Sequence, residues 1–183
     1  MTMGKKIIFW PVLLLVLFLI PLTGYSESGN FGLGARGGLY KSNDADSYNV
    51  YGGIQARWKL FPAMSVEGAF DYHPTDSYPD NRKITSYQLL ASVLFHIIPG
   101  ARVSPYLLLG LGWYYSQVQD SGGSNTVYTP GLHMGAGVDI PLTTDISFNA
   151  DFRYYFLNYD DQRVKDLKTD GYIISVGITF FLW

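Results

Sequence analysis

The chain has 183 residues, a formal net charge of −2 and no cysteine. One domain is expected at this length, and disulfides, thiol nucleophiles, thiolate metal sites and lipid-modified cysteines are excluded. Charged residues make up 15% and aromatics 16%; soluble domains carry about 25% charge, so the balance fits a body with much of its surface in lipid and gives no nucleic-acid signal.

The chain opens with Lys5 and Lys6, then an apolar run from Ile7 to Ile20, then Pro21, Gly24 and Ser26. The run falls short of the ~20 residues a spanning helix needs. The pattern reads as a secretory signal over 1–26, with a cut after Ser28 as the alternative and an uncleaved anchor as the competing reading. The remaining domain is 27–183.

Strand-like alternation then recurs at even spacing. Phe31–Tyr40 sets Phe31, Leu33, Ala35 and Leu39 against Gly32, Gly34, Arg36 and Gly38. Val50–Leu60 sets Ile54, Ala56 and Trp58 against Gln55, Arg57 and Lys59. Met64–His73 sets Val66, Phe70 and Tyr72 against Glu67, Asp71 and His73. Thr85–Ile97, Pro105–Gln117 and Pro130–Ile140 repeat the pattern. Asp145–Asn158 shows it most cleanly: Ile146, Phe148, Ala150, Phe152, Tyr154 and Phe156 on one parity; Ser147, Asn149, Asp151, Arg153 and Tyr155 on the other. Tyr172–Trp183 closes the series. Side chains of a strand face alternate sides, so each segment has one greasy and one polar face. The count is about eight strands of roughly ten residues, enough to cross a bilayer at a tilt.

The connections alternate in length. Ser42–Tyr48, Pro74–Lys83, Gln117–Tyr128 and Tyr159–Asp170 are long and polar; Phe61–Ala63, Pro99–Val103 and Pro141–Thr144 are short. Outer-membrane barrels have long extracellular loops and short periplasmic turns. The fold expected is all-β: one transmembrane antiparallel up-and-down barrel of about eight strands, in the outer membrane of a Gram-negative bacterium. The competing reading is a soluble barrel or sandwich with the apolar parity inside. Its outer face would then be Gly, Ser and Tyr where Lys and Glu are the norm.

Two aromatic girdles are expected on the lipid-facing parity. Phe31, Trp58, Phe95, Phe148 and Phe180 lie near the short turns. Tyr72, Tyr87, Trp113, Tyr115, Tyr154, Phe156 and Tyr172 lie near the long loops. The inward parity carries Arg36, Arg57, Lys59, Glu67, Asp71, Asp139, Asp151 and Arg153. An eight-stranded barrel is just wide enough for its side chains to fill. Charges there must pair or keep water, so an ion-pair network filling the lumen is expected, with a narrow channel lining as the alternative. Inward glycines such as Gly53, Gly110, Gly135, Gly137 and Gly177 leave room for the long side chains.

Pro105–Tyr115 (PYLLLGLGWYY), Gly135–Leu142 (GAGVDIPL), Asp145–Phe156 (DISFNADFRYYF) and the closing Val176–Phe180 resemble the small outer-membrane β-barrel family. That family contains the OmpA membrane domain, OmpX and the opacity-type proteins. The resemblance implies a structural or surface-interacting barrel and recognition of its last strand by the barrel-assembly machinery. The terminal aromatic of that family lies on the lipid-facing parity; here Leu182 holds that parity and Trp183 is one residue further.

Catalysis finds little support. Of His73, His96 and His133, none has the His-x-Ser spacing of the small barrels that deacylate lipid A, because Met134 and Gly135 follow His133. No histidine pair has a metal-ligand spacing. Gly110 and Gly112 lie inside a strand, so no dinucleotide loop is present. The expectation is a non-enzymatic monomer without cofactor or metal. Its partners would be lipopolysaccharide, phospholipid and an extracellular ligand met by the long loops, not nucleic acid. A lipid-modifying hydrolase is the second alternative, after the channel.

Overall fold

The computed structural model describes residues 29–42, 48–77, 83–120, 123–157 and 171–182. The expected signal, the loop Tyr159–Asp170 and Trp183 lie outside the described residues. Eight strands follow one another: β1 (Phe31–Ser42), β2 (Asn49–Phe61), β3 (Met64–Ser77), β4 (Lys83–His96), β5 (Ser104–Asp120), β6 (Gly123–Pro141), β7 (Ile146–Leu157) and β8 (Gly171–Phe181). Each pairs antiparallel with the next, and β1 pairs with both β2 and β8, so the sheet closes into a barrel. Closure gives every strand two neighbours and leaves no edge in the bilayer.

The period-two pattern settles which face is which. Down β8, from Gly171 to Phe181, buried residues alternate with exposed or half-exposed ones without a break. Ile174, Val176, Ile178 and Phe180 are 41–50% exposed, while Ser175 and Thr179 are at most 2% exposed. The apolar parity therefore points out and the polar parity points in, the reverse of a soluble barrel. Among the described residues no helix is long and apolar enough to cross a membrane; the crossing is made by strands.

Glycines stand opposite the bulky lumen side chains. Arg36 pairs with Gly53 on one side and Gly177 on the other; Arg153 pairs with Gly135, and Asp151 and Tyr106 both pair with Gly137. A Cβ on Gly137 would sit 2.5 Å from Tyr106 Cζ and 2.6 Å from the Ala150 carbonyl oxygen. Overpacking a filled interior costs roughly 1–3 kcal/mol. Gly137→Ala should lower the unfolding free energy by that amount in a urea titration of the refolded barrel. At the β4–β5 turn, Gly100 has φ of +73°, a left-handed conformation that glycine adopts without strain.

Two connections are shorter than expected. Gln117–Tyr128 is not an irregular loop: the β5–β6 ladder continues up to Asp120 opposite Gly123. β3 and β4 also run on, to Ser77 opposite Lys83, whereas the β1–β2 ladder ends at Tyr40 opposite Asn49 and β6–β7 at Gly131 opposite Leu157. Strands β3 to β6 thus rise as a four-stranded wall past the rest of the rim. Strand pairing needs only backbone partners, so it persists where the apolar pattern stops.

Candidate functional site

The lumen assembles charged side chains from five strands. The short Phe61–Met64 turn brings β2 against β3, and Arg57 falls directly opposite Glu67. Arg57 Nε donates to Glu67 Oε2 at 2.7 Å, and Arg57 Nη1 to Asp139 Oδ1 at 2.6 Å. From β1, Arg36 Nη1 donates to Glu67 Oε1 at 3.1 Å, and its Nε lies 3.3 Å from Asp71 Oδ1. From β7, Arg153 Nη2 donates to Glu67 Oε1 at 2.8 Å and Nε to Asp151 Oδ1 at 2.7 Å. Glu67 is thereby held by three guanidinium groups. Side by side, Arg36, Arg57, Glu67, Asp71, Asp139, Asp151 and Arg153 form one connected set. Lys59 stands apart from its middle, near the short-turn rim, with Nζ 3.7 Å from the Phe181 ring centre.

Neutral partners complete the set. Tyr106 Oη accepts from Arg57 Nη2 at 3.3 Å and donates to Asp151 Oδ2 at 3.2 Å. Ser175 Oγ donates to Asp151 Oδ1 at 2.5 Å, and Tyr51 Oη accepts from Arg36 Nη2 at 3.3 Å. Each carboxylate needs such donors to offset the loss of water. Asp71 is the exception: apart from its Arg36 contact, neither oxygen accepts a hydrogen bond. Nearer the short turns, Thr179 Oγ1 accepts from Gln55 and Asn149.

Two apolar clusters pack in the lumen beside the charged set: Tyr51, Ala69, Leu90, Tyr114, Tyr155 and Ile173 form one, and Leu94, Tyr106 and Leu108 form the other. The strand alternation alone does not give these positions a role. Leu90, Leu94, Leu108 and Ile173 interrupt the polar parity, and those apolar residues in a polar row are the signal that was available. Arg153 and Asp71 are 0% exposed and Glu67 3%. A pocket of about 260 Å³ opens between the short turns, lined by Lys59, Ser65, His96, Ser104 and Asp139 among others; of these, Asp139 also accepts from Arg57. There His96 lies between Ser65 Oγ at 3.2 Å and Ser104 Oγ at 3.3 Å. His133 Nε2 lies 2.9 Å from Ser92 Oγ, deep inside.

On the outward face, Tyr72, Tyr87, Tyr115 and Tyr128 occupy one cross-strand row over β3 to β6. Tyr72–Tyr87 and Tyr115–Tyr128 are in ring contact, each at 5.3 Å. Trp113 is two residues from Tyr115 on the same face, Phe156 pairs with Leu132, and Tyr154 pairs with Tyr172 on β8. At the opposite end Phe31 pairs with Trp58, Met64 with Phe95, Ile140 with Phe148, and Leu33 with Phe180.

A closed eight-stranded barrel with an apolar exterior and a polar, charged interior is a membrane-spanning barrel. The chain belongs to the outer membrane protein beta-barrel domain family, whose profile matches residues 12–180. Its location is accordingly the outer membrane of a Gram-negative bacterium. No curated protein sequence matches it. Among solved structures it is similar to neisserial surface protein A, with TM-score 0.69, 17% identity, and 84% of this chain and 97% of that one covered. It is also similar to the N-terminal barrel of Pseudomonas aeruginosa OprF, with TM-score 0.64, 12% identity and coverage of 85% and 100%. Ail, the attachment invasion locus protein of Yersinia pestis, aligns with TM-score 0.57, 16% identity and coverage of 86% and 99%. At such identities the likeness is one of fold.

Proposed function

We propose that the mature chain, residues 27–183, is a non-enzymatic, monomeric barrel whose lumen is plugged and whose outer hairpins meet the environment. The observation that supports this is the buried charge network, with Glu67 shared by three guanidinium groups and apolar clusters packed beside it. Three guanidinium groups on one carboxylate take up much of a lumen that eight strands make just wide enough for side chains, which supports a plug over an open pore. The aromatic rows anchor the barrel at the two headgroup levels, and the short turns face the periplasm. Insertion would use the barrel-assembly machinery, and lipopolysaccharide and phospholipid would surround the wall.

The wall formed by β3 to β6 supplies the surface for an extracellular ligand, since rigid exposed hairpins are where binding residues are best positioned. Ail has been solved with the heparin analogue sucrose octasulfate, and a ligand met from outside is the corresponding proposal here. A second reading, a narrow small-solute channel, draws on the pocket at the short-turn end and on Asp71, whose oxygens accept no protein hydrogen bond. The lipid-modifying hydrolase has less support, because the Ser92–His133 pair is buried inside the barrel. Expression should leave lipid A mass spectra unchanged.

Orientation is tested by labelling. The chain has no cysteine, so single cysteines report cleanly. Asn125→Cys, on the raised β5–β6 hairpin, should react with an impermeant thiol reagent on intact cells. Thr143→Cys, in the β6–β7 turn, should react only after the outer membrane is opened. Equal labelling at both positions would overturn the orientation.

A further inference from the structure

On the lipid-facing side, Lys41 is the only Lys, Arg, Asp or Glu among the described strand residues whose side-chain burial is assigned. No carboxylate pairs with it among the described residues. It lies between two tyrosines: Tyr172 is its ladder partner on β8, and Tyr48 precedes Asn49, the ladder partner of Tyr40. The two hydroxyls meet across β1 at 2.9 Å, and Lys41 Nζ lies 5.3 Å from the Tyr48 ring centre. Tyr48 is 55% exposed, so the group opens outward. In the hydroxyl pair one tyrosine donates to the other, and the acceptor keeps its own proton. The cluster thus offers an ammonium group and one O–H side by side.

That donor set matches a phosphate: one cation for its charge, one hydroxyl for a second oxygen. Its level fits too. Tyr172 pairs with Tyr154 in the aromatic row at the long-loop end, where headgroups lie and where long cationic side chains reach polar surroundings. We propose that Lys41, Tyr48 and Tyr172 form a clasp for a phosphate of the phosphorylated glycolipid in the outer leaflet. The assignment to that leaflet rests on the orientation proposed above; the phosphate chemistry does not.

The test is native mass spectrometry of the refolded mature barrel with three probes: diphosphoryl lipid A, its phosphate-free form, and phosphatidylglycerol. Heat-dependent gel mobility confirms that each variant is folded. The wild type should retain diphosphoryl lipid A over both other lipids. Lys41→Gln should lower that retention about fivefold, the effect of one cation at a charged membrane surface. Lys41→Arg should keep it, and the double change Tyr48→Phe with Tyr172→Phe should lower it with Lys41 intact. Equal retention of lipid A by wild type and Lys41→Gln would overturn the clasp, as would equal retention of the phosphate-free form. A Lys41-dependent preference for phosphatidylglycerol would overturn the glycolipid assignment. Labelling at Asn125 and Thr143 reports separately whether the orientation itself fails.

Discussion

Glu67→Gln should lower the unfolding free energy of the barrel by about 3–5 kcal/mol, the cost of breaking a buried charge cluster by removing one partner. Glu67 accepts from Arg36, Arg57 and Arg153 at 2.7–3.1 Å. A neutral amide keeps the shape but removes the charge shared by three guanidinium groups, and its NH₂ end points a donor at donors. Asp139 and Asp151 still hold Arg57 and Arg153, so the barrel should fold and then unfold at lower urea. Asp71→Asn should cost less, because Asp71 meets a single guanidinium at 3.3 Å. Urea titrations in the same lipid, with refolding from both sides, give the two values. Equal costs at Glu67 and Asp71 would mean that the network is not centred on Glu67.

The second large effect is on the lipid face. Ala150 lies on the outward parity in the middle of β7, opposite Val138 and Val176. An arginine at the bilayer midplane of a barrel costs about 2–4 kcal/mol, falling to about 0–1 near the interface. Ala150→Arg should therefore be strongly destabilising. Leu39→Arg, on β1 two residues below Lys41, should be nearly neutral, since its guanidinium reaches the headgroups. The comparison runs along one face, so both variants lose the same kind of contact. A cost at Leu39 equal to that at Ala150 would contradict the placement of the bilayer.

Much of the fold could be read from the sequence because a strand repeats every two residues and a bilayer demands apolar side chains on one parity. Ile146 to Phe156 shows both conditions at once. Beyond the headgroups the second condition lapses. Gln117 to Tyr128 is Gly, Ser and Asn in large part, and its pairing could not be read from hydrophobicity. The same holds inside the lumen. Arg57 and Glu67 flank a short turn, so their proximity followed from strand order. The contacts of Glu67 with Arg36 and Arg153 cross the barrel and depend on its tilt and shear, which no local pattern encodes. Leu90, Leu94, Leu108 and Ile173 follow the inward parity of their strands, yet their grouping into two apolar clusters depends on that same stagger.

Single-channel recording in planar bilayers tests the plugged lumen most directly. The folded wild-type barrel should give no steady conductance, and Glu67→Gln should give at most brief openings as the arginines lose their shared partner. Steady wild-type conductance steps that change with charge at Arg57 or Asp151 would contradict the plug and establish a channel.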